Sequence, residues 1–334
     1  MDVAAFDYRL PDAAIAQVPV EPRSAARLLV DRGPGQPPAH TAVAALPDLV
    51  GHGDLLVVND SRVRRARLRL QKPTGGAVEV LLVDRSPDGG WEALVRPSRR
   101  VPPGTVLTPP GPGATELRVT VGDDLGEGRR LVRVEGDPDA HGEIPLPPYI
   151  RRPLTDPERY QTVFAARASS VAAPTAGLHL THDVLDRCRA RGAAVAAVEL
   201  SVGLGTFRPI TAASVADHRM HRERYRVAPE VLDACAAAAR VVAVGTTVVR
   251  ALESAAATGQ PEGDTALFIH GDHRFRAVDV LLTNFHVPRS SLLVLVDAFI
   301  GPRWRDLYSV ALAEGYRFLS LGDAMLLDRR WGRR

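Results

Sequence analysis

The spacing of apolar and polar residues changes character along the chain. In the first sixty residues the clearest signal is Asp54-Leu55-Leu56-Val57-Val58-Asn59-Asp60, an apolar run closed by polar residues, which predicts a buried strand with a polar exit. Ahead of it, Pro11-Asp12 predicts a helix start for Ala13 to Gln17, and Arg32 to Pro38 predicts a turn. From Arg62 to about Tyr149 the runs are short and alternating: Ala66 to Leu70, Val78 to Val83, Trp91 to Val95, Leu117 to Val121 and Leu131 to Val134. Gly/Pro clusters separate them, and no helical period is present. Short strands with such breakers predict a small β-barrel or sandwich.

From about Tyr160 strands and helices alternate. Thr181 can cap a helix to Arg191, striped by Val184, Leu185 and Cys188 and closed by Gly192. Ala193 to Leu200 reads as a strand, Pro229 to Arg240 as a helix, and Val241 to Val244 as a strand running into Gly245-Thr246-Thr247 and a helix from Val248 to Ala257. Leu267 to His270 and Val278 to Leu282 read as strands, Ser290 to Phe299 and Asp306 to Glu314 as helices. The expected fold class is therefore mixed α/β. A large domain from 1–60 and 150–334 is expected to carry the active site, and a barrel-like all-β domain, 61–149, to be inserted in it.

The totals permit two such domains in 334 residues. A net charge of +3 is too small to imply a nucleic-acid partner, so local clustering must decide. Cys188 and Cys235 fit buried small hydrophobes rather than a disulfide or metal site, and no metal is expected. The longest apolar run, Ser290 to Phe299, is too short to span a bilayer, and from the opening Met-Asp-Val no secretory leader is expected. A cytoplasmic monomer with no membrane partner is expected.

In open α/β sheets ligands sit at the carboxyl ends of strands. Polar residues are dense after each predicted strand there: Asn59, Asp60, Ser61 and Arg62; Ser201 to Phe207; Gly245, Thr246 and Thr247, then Arg250 and Glu253; Thr283, Asn284 and His286; Gly322 and Asp323. A helix starting at Thr246 offers free N–H groups to a carboxylate or phosphate, although Thr246 could simply cap it. Arg250 and Glu253 share a helix face and could form an ordinary ion pair. Gly203-Leu204-Gly205 lacks the third glycine of a dinucleotide fingerprint. His179, His218, His221 and His286 stand near these motifs, without metal-ligand spacing. Arg65, Arg67 and Arg69 alternate with apolar residues, so with Arg62 and Arg64 they could follow a phosphate backbone or form a solvated barrel face. Arg96, Arg99, Arg100, Arg151, Arg152 and the basic tail Arg329 to Arg334 could extend that cluster.

The chain resembles the S-adenosylmethionine:tRNA ribosyltransferase-isomerases of queuosine biosynthesis. The resemblance rests on Asn59-Asp60-Ser61-Arg62-Val63, Leu146-Pro147-Pro148-Tyr149-Ile150, Tyr160 to Phe164, Val171-Ala172-Ala173-Pro174-Thr175-Ala176-Gly177-Leu178-His179, Val202 to Phe207, His218-x-Met220-His221-x-Glu223, Val244 to Thr247 with Arg250 to Ser254, and Thr283-Asn284-Phe285-His286. It implies a large α/β domain with a smaller inserted all-β domain. It also implies S-adenosylmethionine as co-substrate, without a metal, and a tRNA carrying 7-aminomethyl-7-deazaguanine at the wobble position as partner. His179, His221, His286, Glu223 and Asp323 are the expected acid–base candidates. Expected to bind substrate are Asn59, Asp60, Arg62, Pro174, Thr175, Ala176, Gly177, Gly203, Gly205, Thr206, Gly245, Thr246, Thr247, Arg250, Glu253, Thr283 and Asn284, with Arg64, Arg65 and Arg67 on the tRNA. The chain departs from the family pattern at Ser201, where the family has His, at Ala168-Ser169, at Arg64-Arg65 and at Asp297. Ser201 and Asp297 raise the alternative of a diverged S-adenosylmethionine-dependent enzyme acting on another acceptor such as a free deazapurine, and the arginine cluster raises that of a non-catalytic RNA-binding protein.

Overall fold

The computed structural model describes residues 1–111, 116–203 and 209–330. The chain divides into two units. One holds residues 1–62, 147–167 and 173–334, the other 63–146 and 168–172. The short strands β4 (Ser61–Val63) and β11 (Arg167–Ser170) lie where the chain passes between them.

The larger unit is built on a sheet of nine described strands: β1 (Arg27–Val30), β2 (Ala39–Ala42), β3 (Asp54–Asn59), β12 (Ala194–Leu200), β13 (Glu223–Arg226), β14 (Arg240–Val244), β15 (Glu262–Thr265), β16 (Val280–Asn284) and β17 (Ala324–Asp328). Their order is β15-β13-β12-β3-β14-β16-β17-β1-β2. β12, β3, β14 and β16 run parallel, so their carboxyl ends share one rim. β13 and β15 extend the sheet antiparallel beyond β12. Helices α2 (His182–Ala190), α3 (Pro229–Ala237), α4 (Thr246–Thr258), α5 (Ser291–Ile300) and α6 (Trp304–Ala313) accompany it. Val184, Leu185 and Cys188 of α2 share a core with Leu56, Val242, Leu282 and Leu326 from four strands, as the helix stripe requires.

The smaller unit is all antiparallel: β5 (Arg67–Gln71), β6 (Ala77–Arg85), β7 (Trp91–Arg96), β8 (Val106–Leu107), β9 (Arg118–Gly126) and β10 (Arg129–Glu135), in the order β5-β6-β7-β10-β9-β8. Gln71 and Thr108 exchange both backbone hydrogen bonds, 2.8 and 3.1 Å, and so tie the two edge strands together. The expected mixed α/β class with a barrel-like all-β part is thus what the chain adopts.

Local differences have physical causes. Of the helix expected over Ala13 to Gln17, only a 3-10 turn at Asp12–Ala14 forms, because Ala16 N–H is drawn to Phe318 O and Phe318 N–H to Ala14 O. Leu267 to His270 is not a strand. The polar segment Glu262–Thr265 takes the ladder with β13, and Leu267 O is taken by Arg250. A four-residue helix, α1 (Pro138–His141), capped by Asp137, occurs in the smaller unit where none was expected.

Candidate active site

A cleft of about 570 Å³, open space at its mouth included, lies at the carboxyl ends of the parallel strands. After β14 it is lined by Gly245, Thr246 and Thr247; after β16 by Thr283, Asn284, Phe285, His286 and Val287; after β12 by Val202. Ala173, Pro174, Thr175 and Ala176 form another wall, and Tyr149, Ser290, Leu292, Leu319 and Ser320 complete it. None of these lining residues is Asp, Glu, Lys or Arg.

Gly245 has φ +95°, a conformation that favours glycine, and it starts α4 with no side-chain cap. Thr246 is therefore the first helical residue rather than the cap. The N–H groups of Val248 and Val249 turn back to Gly245 O, whereas those of Thr246 and Thr247 make no hydrogen bond in the described structure. Thr247 Oγ1 is buried and likewise has no partner among the described residues. Two amides, a hydroxyl and the positive helix end thus face one corner of the cleft, the arrangement that holds a carboxylate.

Asn284 is fixed by its own amide, which donates to Leu319 O at 3.3 Å, while its Oδ1 accepts from Thr175 Oγ1 at 2.9 Å. His286 Nε2 lies 3.0 Å from Thr283 Oγ1. Its backbone is clamped by Tyr308, whose oxygen accepts His286 N–H at 2.9 Å, and by Tyr8, which donates to His286 O at 2.5 Å. Burial lowers the His286 pKa to about 3, so the ring is neutral at pH 7. Tyr149 Oη shares a 2.7 Å hydrogen bond with Ser320 Oγ, and burial pushes its pKa upward, so it keeps its proton.

Of the residues expected at the site, Pro174, Thr175, Ala176, Gly245, Thr246, Thr247, Thr283, Asn284 and His286 are brought together. Others lie elsewhere. His179 is buried between Ala176 O, 3.1 Å, and Gly322 O, 2.7 Å, beside a smaller cavity bordered by Arg23, Arg159 and Ser320. Burial lowers its pKa. Asp323 accepts the backbone N–H groups of Arg27 at 3.0 Å and Arg317 at 2.8 Å, which is a structural use of both its oxygens. His221 is exposed. Glu223 and Arg250 form a buried ion pair that does not line the cleft, and Glu223 Oε1 also accepts Gly203 N–H at 2.9 Å. Glu253 does not pair with Arg250. Its carboxylate accepts three backbone N–H groups, from Arg276, Ala277 and Val278, and fixes the entry to β16. Gly177 is wedged against Phe164 and Thr162. Asn59 ties β3 to β12 through Leu200 O at 3.1 Å. Asp60 pairs with Arg167 at 3.1 Å, and burial raises its pKa against that partner. Arg62 forms an exposed pair with Glu158 at 2.7 Å. Gly205 and Thr206 lie outside the described residues, as do residues 331–334 of the basic tail.

In the smaller unit Arg64 stacks 4.6 Å over Trp91 and donates to Val83 O at 2.6 Å. Arg67 pairs with Glu79 at 3.7 Å and donates to Leu146 O at 3.1 Å. Arg65 is exposed. Tyr149, Phe285, Ser290 and Ser320 were not singled out as site residues. Tyr149 and Phe285 stood inside quoted motifs, but only the fold shows that they face the cleft. Asp297 accepts Trp304 Nε1–H at 2.9 Å and does not line the cleft. Among the described residues no group of three His, Cys, Asp or Glu side chains could hold a metal, and no helix is long and apolar enough to cross a membrane.

Fold and cleft together define an α/β protein with a cleft at its strand ends and an all-β part. The model of a family described as queuosine biosynthesis protein matches residues 3–327. The S-adenosylmethionine:tRNA ribosyltransferase-isomerase of Thermus thermophilus is 51% identical, covering 97% of this chain and 98% of that protein. The enzyme of the same name from Rubrobacter xylanophilus is 50% identical, with 96% of each covered. A crystal structure of S-adenosylmethionine tRNA ribosyltransferase from Thermotoga maritima aligns with TM-score 0.55 at 34% identity, over 96% of this chain and 99% of that one. The chain belongs to this queuosine-biosynthesis family.

Proposed function

We propose that this protein transfers and isomerises the ribosyl moiety of S-adenosylmethionine onto 7-aminomethyl-7-deazaguanine at the tRNA wobble position, forming epoxyqueuosine and releasing adenine and methionine. The observation that carries the reading is the cleft itself. Its walls come from the segments Ala173–Ala176, Gly245–Thr247 and Thr283–His286, which also carry the resemblance to the family.

The start of α4 and Thr247 Oγ1 would take the methionine carboxylate. The positive sulfonium acidifies the C5′ hydrogens, and a base removes one of them. His286 is assigned that role because it is the one described lining side chain that is neutral and basic at pH 7. A base with a pKa near 3 is weak by itself, and a carboxylate bound nearby raises it. Loss of adenine opens the ribose; the proton that adenine needs is the one His286 took from C5′, and Tyr149, hydrogen-bonded to Ser320, lines the same cleft. The substrate amine adds at C4′ and gives up a proton, C5′ closes onto the C1′ aldehyde to form the carbocycle, and the resulting alkoxide displaces methionine from C5′ as the epoxide closes.

The test is an assay of purified protein with S-adenosylmethionine and either the tRNA bearing the deazaguanine or the free base. Adenine release and an epoxide-bearing nucleoside by mass spectrometry are expected with the tRNA alone. Turnover of the free base alone, or no adenine release with either acceptor, overturns the reading. In the same assay, His286→Ala is expected to lower kcat by about 10²- to 10⁴-fold.

A further inference from the structure

The arginine-rich run singled out in the sequence is largely engaged within its own unit: Arg64 with Trp91 and Val83 O, Arg67 with Glu79, and Arg69 with Glu143 at 3.0 Å. Guanidinium groups already neutralised or stacked gain little from a phosphate. Elsewhere, in the larger unit, the segment from His218 to Arg226 carries Arg219, Arg222 and Arg224 exposed. None of the three makes an ion pair or a side-chain hydrogen bond among the described residues. Asp264 stands opposite Arg224 across the β13–β15 ladder without closing to ion-pair distance.

The segment is tied to the cleft. Ser201 N–H donates to Arg224 O at 2.9 Å, so Arg224 sits at the carboxyl end of β12, where Val202 enters the cleft wall. Glu223, between Arg222 and Arg224, binds Gly203 N–H and the Arg250 guanidinium, and Arg250 Nε donates to Leu267 O at 3.1 Å. That last bond fixes the neighbouring Phe268. Its half-buried ring packs against His218, 5.2 Å between centroids, and His270, 4.9 Å. One buried ion pair thus joins the rim of the cleft, a row of free cations and a partly exposed aromatic cluster.

We propose that Arg219, Arg222 and Arg224, with Phe268 as a stacking platform, form the surface that receives the single-stranded anticodon loop of the tRNA. A base delivered into a cleft must be splayed from its neighbours. Unpaired guanidinium groups on the backbone and an aromatic face for an adjacent base are the groups that hold such a strand. This rests on the tRNA reading above. Arg226 is the internal control. It is exposed on the same strand, but farther from the rim, and it faces Glu199 and Glu262 on its two neighbours.

The experiment measures binding of the full-length protein to the substrate tRNA as a function of salt, together with adenine release. For Arg219→Gln/Arg222→Gln/Arg224→Gln, the slope of log K against log salt should fall by about two, from ~0.7 per single-strand phosphate contact. Kd should rise at least about tenfold at moderate salt, with KM for S-adenosylmethionine unchanged. Phe268→Leu should weaken binding by about tenfold with the slope unchanged, since stacking carries no counterion release. Arg226→Gln should leave both intact. If the triple variant keeps the wild-type slope, or if Arg226→Gln matches its effect, the surface is wrong although the enzyme reading stands. If the wild type binds tRNA through these arginines but never releases adenine, the surface stands and the enzyme reading falls. If the wild type binds no tRNA, both fall.

Discussion

Removing Glu223 tests the tie between the cleft wall and α4. Both side chains of the Glu223–Arg250 pair are 4% exposed. Burial lowers the Arg250 pKa to about 10, which leaves it charged at pH 7. Among the described residues Arg250 Nη2 has no partner, Nε holds Leu267 O, and Glu223 is the one counter-charge to that guanidinium. Breaking such a pair from one side costs about 3–5 kcal/mol, because it strands a buried charge. At roughly 2–4 °C per kcal/mol for a unit of this size, Glu223→Ala should lower Tm by about 6–20 °C. Removing both charges should be far milder. Glu223→Met/Arg250→Met replaces the pair with apolar chains of similar length, and such exchanges are often near neutral. Calorimetry on Glu223→Met, Arg250→Met and the double variant completes a double-mutant cycle. A coupling of at least about 2 kcal/mol is expected. Additivity within ~0.5 kcal/mol, or a Glu223→Ala shift under about 2 °C, would refute the buried-pair argument.

Thr247→Val removes a buried hydroxyl that has no partner among the described residues, so stability should hold or rise slightly, whereas KM for S-adenosylmethionine should increase about 10- to 100-fold, since hydrogen bonds to charged groups contribute ~1.5–3 kcal/mol; an unchanged KM rules the carboxylate out of that corner. His286 has a folded pKa of about 3 against an ordinary 6.5, so between those values the unfolded chain binds the proton and the folded one does not. Its contribution to stability is therefore complete above pH 6.5 and is lost as pH falls toward 3, by about 5 kcal/mol. Denaturant titrations from about pH 7 to 4 should show a shallower loss for His286→Asn than for wild type, and parallel curves would contradict the assignment. Asp297→Ser changes one of the positions that depart from the family pattern, and since Asp297 serves Trp304, the choice between tRNA-borne and free base should not change; a switch in acceptor would show that this position reaches the site.

By itself the sequence determined the elements whose burial is one-sided and local. The apolar run Leu55 to Val58, the α2 stripe with its Thr181 cap and the short breaker-bounded strands of the smaller unit each carry their own periodicity. It also located the cleft's main walls, because the residues after β14 and β16 must stand at the rim of a parallel sheet. What only the tertiary structure decided is which polar residues face that rim. Glu223, Asp323, His179 and Asn59 sit in motifs as prominent as those of Thr247 and His286, yet their side chains are turned to backbone groups and a buried arginine brought from elsewhere in the chain. Tyr149 and Ser320, 171 residues apart, meet in one wall by folding alone. The same holds for charge. Arginines read along a strand looked alike, and the carboxylates that fold onto Arg67 and Arg69, but do not reach Arg219, Arg222 or Arg224, lie at distances along the chain that no local pattern records. A periodic pattern reports which face a residue occupies. Whether a polar group on that face finds a partner or stays free for a ligand depends on contacts between distant segments, and those exist only once the chain has folded.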